Sequence, residues 1–137
     1  MTKKKKVVKK RPKKAVRKTA KKPAVLPSRA FAVAAAKIAR DSHCTDIVIL
    51  NLTGLCPSAD YFIVATSTSD RQGRSVANEI SQLAPKFDLQ RFGLAGYQQG
   101  RWILLDFIDV IVHIFDPQFR DYYNLEMLWG DAEKIDY

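Results

Sequence analysis

The sequence predicts an α/β (α+β) fold: a mixed sheet of four to five strands flanked by helices. Three observations lead there. Short runs rich in β-branched and aromatic residues occur at 46–52, at 61–67 and twice within 102–116. Stretches of helical periodicity lie before, between and after them. Almost half of the 137 residues are apolar, enough for one domain with a real core.

The elements follow in order. Ser28 is placed to cap a first helix, and Phe31, Ala34, Ala35 and Ile38 recur at helical spacing to about Ser42. DIVILNL (Asp46–Leu52) reads as a strand, TGLCPSAD as a connector, and YFIVATS (Tyr61–Ser67) as a second strand. Ser69 with Gln72 three residues on fits a capping box. Val76, Ile80, Leu83 and Phe87 then line one helix face, and Pro85 limits its length. RFGLAGYQQG connects to the last strands. Asp116 caps and Pro117 opens a third helix, and Asn124 caps a short fourth one ending at Trp129.

Charge divides the chain in two. Residues 1–29 hold fourteen of the 23 Lys and Arg and no acid, whereas the rest holds nine basic and all 14 acidic residues, a net −5. Residues 1–27 are too poor in apolar surface and too self-repelling to order alone, and are read as a disordered tail ahead of a domain at 28–137. Blocks of like charge at a terminus seek polyphosphate, so Lys3, Lys4, Lys5, Lys6, Lys9, Lys10, Arg11, Lys13 and Lys14 are candidate rRNA contacts. No apolar run reaches the ~20 residues of a membrane span, and Cys44 and Cys56 make no disulfide framework. A bacterial cytoplasmic setting is expected, with an organellar one the lesser alternative.

WILLDFIDVIVHIFD (Trp102–Asp116) carries the chemistry worth weighing. It is expected to form a hairpin turning at Phe107 and Ile108, with Asp106 facing Asp109, Leu104 facing Ile111 and Trp102 facing His113. Alternation puts Ile103, Leu105, Val110, Val112 and Ile114 on an aliphatic core face. The other face holds Trp102, Leu104, Asp106, Asp109, Ile111, His113 and Phe115, a mixture typical of a surface that a partner covers. Phe107 and Ile108 are poor residues for a two-residue turn, which wants glycine or asparagine. Asp106 and Asp109 would lie ~5 Å apart, but beside a solvated turn. Asp109 and His113 are ~13 Å apart along the strand, too far for a base and its orienter or for a shared metal. His43, Cys44 and Cys56 lack zinc-ligand spacing, and ATSTSDRQ lacks the glycines of a phosphate loop. No catalytic residue, metal site or cofactor is predicted.

DIVILNLTGLCPSADYFIVATSTSDRQ, GRWILLDFIDVIVHIFDP and RDYYNLEMLWGDA, in that order and spacing, closely resemble the Iojap family of ribosomal silencing factors from about Ala32 to Ala132. The resemblance implies a core similar to that of nucleotidyltransferases without their chemistry. Those enzymes carry an Asp-x-Asp pair for magnesium, and TGLCPSADYF offers Asp60 alone. It further implies a non-enzymatic protein that docks on ribosomal protein fourteen of the large subunit and sterically blocks the small subunit, repressing translation. No small-molecule substrate or membrane is implied. The partner-facing strand carries over to Trp102, Leu104, Asp106 and His113, with Tyr122 and Tyr123 in the closing helix. Trp129 is expected to pack that helix end on the sheet, and many relatives have glycine where Ile108 stands. Two other functions are compatible with the residues: a divergent nucleotidyltransferase-like enzyme, and a general RNA-binding protein acting through the tail.

Overall fold

The computed structural model describes residues 27–137. The Lys-rich segment before Pro27, with its candidate rRNA contacts, lies outside the described residues. The elements are α1 (Pro27–Asp41), β1 (Thr45–Asn51), β2 (Tyr61–Thr66), α2 (Asp70–Leu83) with a 3-10 turn at Ala84–Phe87, β3 (Gly93–Ala95), β4 (Trp102–Asp106), β5 (Val110–Phe115), α3 (Pro117–Tyr123), α4 (Leu125–Leu128) and β6 (Glu133–Lys134). The sheet runs β3-β4-β5-β2-β1-β6. Among the described residues only β2 and β5 pair in parallel; α2, β3 and β4 form the crossover between them.

The mixed α+β architecture is the one expected, but with six strands rather than four or five. The two extra strands are edges of three and two residues, β3 and β6, too short to show a period. β3 lies inside the stretch read as a connector. Its backbone pairs Gly93 with Asp106 and Ala95 with Leu104. α1 starts at Pro27, whose fixed φ suits a first helical residue, so Ser28 sits inside the helix and is buried rather than capping it.

One sheet face carries Ile49, Ile63, Ile103, Leu105, Val112 and Ile114, all buried, beneath α1 and α2. Gly73 lets α2 lie close: a Cβ there would stand 3.4 Å from Ile103 and 3.5 Å from Ile114. Ser69 caps α2 by accepting from the Gln72 amide at 3.0 Å, while Gln72 Oε1 accepts from the Thr68 amide at 2.6 Å. Val76 and Ile80 point into the core, and Pro85 falls in the 3-10 turn that ends the helix. The opposite face carries Leu50, Phe62, Val64, His113 and Phe115, and α3–α4 folds back over it.

The hairpin register differs from the one expected. Trp102 pairs with Phe115, Leu104 with His113 and Asp106 with Ile111, so the loop is Phe107-Ile108-Asp109. Phe107 cannot serve as a turn residue in solvent because it is fully buried, its ring 4.9 Å from that of Phe31. Ile108 takes the left-handed conformation at φ 74°, its amide donating to Asp106 Oδ1 at 2.7 Å. The shift is two residues, so every side chain keeps its predicted face.

Gly96, at φ 74°, ends β3 where an added Cβ would collide with the Trp102 carbonyl. Gly96→Ala is expected to destabilise the domain by about 2–4 kcal/mol, combining a disfavoured φ with a backbone clash. Urea denaturation checks it: an unchanged midpoint would mean that this turn relaxes freely.

Candidate docking surface

Trp102 stands half-exposed at the start of β4, with its indole against Phe115 (centroids 4.9 Å) and Tyr123 (4.6 Å). Its Nε1–H donates to His113 Nδ1 at 3.1 Å, a diagonal cross-strand contact. The sequence-based register aligned Trp102 with His113; the two do meet, but through side-chain reach rather than direct pairing. His113 itself is only 4% exposed, wedged beside Phe62 at 4.6 Å, so it lies beneath the surface rather than on it. Leu104 and Asp106 are half-buried on the same face, and Asp106 spends an oxygen on the turn.

The closing helices complete the surface. Asp116 Oδ1 accepts from the Phe119 amide at 2.7 Å, and Pro117 takes the first turn as expected. Arg101 clamps this helix start: its Nε donates to Asp116 Oδ2 at 2.7 Å, and its guanidinium lies 4.1 Å over the Phe119 ring. Asn124 ends α3 and caps α4. Trp129 packs the end of α4 on the sheet, 6.2 Å from Phe62. Tyr122 is 78% and Tyr123 40% exposed, and α4 adds Met127 at 76% and Leu128 at 70%. The inner positions belong to Arg120 and Trp129; Tyr122 looks outward, whereas Tyr123 lays its ring on Trp102 and keeps only part of it in solvent.

Arg120 is the residue that the sequence did not reveal. It is 8% exposed; its Nη1 donates to Thr66 Oγ1 at 2.7 Å, and its Nη2 and Nε donate to Glu126 at 2.6 and 3.3 Å. One guanidinium thus ties α3, α4 and β2 together. Burial pushes the Glu126 carboxyl up, but the hydrogen bonds and charge of Arg120 outweigh it and hold the carboxyl below its ordinary range. Asp46, Asp121 and Glu126 face a groove of about 310 Å³ alongside, which Arg120 also lines. The signal for Arg120 was faint: an arginine and a glutamate six residues apart across a helix break.

Burial lowers the His113 pKa from 6.5 to about 4. Between those values the unfolded chain takes up a proton that the folded chain refuses. Stability is therefore full above pH 6.5 and falls as pH drops through that window, by about 3 kcal/mol in total. Glu126 adds a further loss at lower pH, as its depressed pKa is crossed. Denaturation midpoints measured from pH 7 to 4 check this, and a flat profile would place His113 in contact with water.

Among the described residues no three His, Cys, Asp or Glu side chains come together to hold a metal ion, and no helix is long and apolar enough to cross a membrane. Burial pushes the Cys44 thiol up to about 11, making it a poor nucleophile.

The family model described as ribosomal silencing factor during starvation matches residues 26–137, all but the basic segment. The chain belongs to the ribosomal silencing factor family. It is 40% identical over 102 residues to the ribosomal silencing factor of Bacillus subtilis, covering 74% of this chain and 86% of that protein. It is 38% identical over 96 residues to that of Halalkalibacterium halodurans, covering 70% and 82%. A crystal structure of a Chromobacterium violaceum protein superposes with a TM-score of 0.71 at 32% identity, over 80% of this chain and 91% of that one.

Proposed function

We propose that this silencing factor binds the large ribosomal subunit through ribosomal protein fourteen, using the face formed by β4, α3 and α4, and thereby blocks joining of the small subunit. One observation carries the reading: half-exposed Trp102 and the exposed side chains of Tyr122, Tyr123, Met127 and Leu128 belong to β4 and to the two helices that fold over its face, whereas the other exposed apolar residues, Leu55, Phe92, Leu94 and Tyr137, are spread over separate elements. Aromatic and methionine side chains on an open surface are characteristic of interface cores. The acids of the adjoining groove and the net negative body favour a basic partner, as ribosomal proteins are. No catalytic step is needed, because a bound domain at the joining surface excludes the small subunit by volume alone.

Sedimentation of purified subunits with the full chain tests this. Free subunits should accumulate in proportion to added protein; unhindered joining at saturating protein would refute the mechanism.

In this proposal the Lys-rich segment before Pro27 contacts rRNA. Deleting it is expected to weaken large-subunit binding by about ten-fold at moderate salt and to flatten the salt dependence, while preference for the large subunit persists. Affinity measured across a salt series checks this. Loss of all binding would instead make the tail the recognition element.

A further inference from the structure

We propose that His113 is the positioning residue of the docking surface: it does not meet the partner, but its Nδ1 fixes the orientation in which the Trp102 indole is presented. The proposal rests on reading the Trp102 face as the site of docking. Around the indole, the contacts with Phe115 and Tyr123 are tilted ring contacts, at 32° and 42°, which tolerate rotation of a flat side chain. The hydrogen bond from Nε1 to His113 Nδ1 is the directional restraint. An indole nitrogen only donates, so Nδ1 must be unprotonated, and the imidazole is neutral with its proton on Nε2.

The acceptor is itself immobile. β5 lies between β2 and β4 in the sheet, and the imidazole is buried among Phe62 at 4.6 Å, Phe115 at 6.0 Å with rings nearly parallel, and the indole. A rigid central side chain thus sets the angle of a half-exposed one at the rim, the arrangement that preorganises a binding anchor. His113 also carries a cost. Its Nε2 is buried and meets no hydrogen-bond partner among the described residues. A phenylalanine would fill the site without an unpaired nitrogen, so a histidine here is explained by the use made of its other nitrogen.

Two substitutions separate positioning from packing. His113→Phe keeps a flat ring in the site, somewhat larger than the imidazole, and removes the acceptor. His113→Asn places Oδ1 near where Nδ1 stood, but leaves a cavity. In the free full chain, the Trp102 indole N–H resonance, assigned with Trp102→Phe, should move to an unbonded position and exchange faster with water in His113→Phe. It should stay near its native position in His113→Asn. Affinity for large subunits should fall about ten-fold or more in His113→Phe and by no more than about three-fold in His113→Asn, whichever of the two melts lower.

If His113 serves packing alone, the order reverses: His113→Phe docks like the native chain and His113→Asn docks poorly. That result, or an indole resonance unmoved in His113→Phe, overturns the proposal. The resonance is read without ribosomes. If the native chain failed to bind large subunits, the docking reading would fall, and the resonance would still decide whether His113 holds the indole.

Discussion

Replacing Trp102 with alanine is expected to weaken binding to the large subunit by about a hundred-fold or more, and with it to abolish the accumulation of free subunits at concentrations where the native chain is fully effective. The magnitude follows from position. A half-exposed indole, held by a hydrogen bond and set against Phe115 and Tyr123, is preorganised before the partner arrives, and truncating such anchors costs ~2–4 kcal/mol of binding. Part of that cost would reflect the acceptor on His113 left without its donor, so Trp102→Phe is the informative companion. It retains most of the apolar area and should lose less than alanine does. Thermal melts guard against an indirect effect: Ile103 and Leu105, which anchor β4, lie on the other face of the sheet, so the alanine variant should remain folded at 37 °C. Equal affinity of Trp102→Ala and the native chain would remove this face from the interface.

Replacing Arg120 with alanine is expected to produce a large loss of stability, about 3 kcal/mol, corresponding to a fall in Tm of about 10 °C or more. The guanidinium is buried and satisfies both Thr66 and Glu126, so its removal leaves a hydroxyl and a carboxylate facing a void. Glu126 keeps about a quarter of its side chain in water, which limits the penalty toward the lower end for a broken buried pair. Because the pair joins α3 to α4, the same change should loosen the helices that present Tyr122, Tyr123 and Met127, and large-subunit affinity should drop with stability. Arg120→Met combined with Glu126→Met should recover much of the melting temperature, since a shape-filling apolar pair carries no stranded charge. If single and double variants melt together well below the native chain, the packing of that corner, rather than its charge pairing, holds the helices down.

What could be read from the sequence divides along physical lines. The faces of β4 and β5 were legible because alternation is local: Ile103, Leu105, Val112 and Ile114 declare a core whatever the loop does. The loop itself was not. Its length depends on Phe107 burying against Phe31, seventy-six positions away, and on Ile108 accepting a left-handed conformation that its side chain disfavours. β3 escaped notice because three residues, Gly-Leu-Ala, show neither period nor β-branching; pairing with β4 creates the strand. The caps at Ser69, Asp116 and Asn124 were legible, since each is a contact within three residues.

The site shows the same division. Trp102 stood out by residue type. The burial of His113 did not, because Leu104, His113 and Phe115 look alike on a strand until the closing helices are laid over them. Arg120 required knowledge of how α3 and α4 cross β2. The family motifs place the chain among the silencing factors, but they do not tell which side chains face outward. Tyr122 does so because Arg120 and Trp129 occupy the inner positions, while Tyr123 lies partly open over Trp102.

The most direct measurement is a photo-crosslink from the proposed face, with a photoreactive side chain replacing Tyr122 and, as a control, one replacing exposed Lys37 on α1, which packs on the other side of the sheet. With intact large subunits, the Tyr122 position should capture ribosomal protein fourteen in high yield and the Lys37 position should not. Capture from Lys37, or capture of other ribosomal proteins alone from Tyr122, would contradict docking through this face.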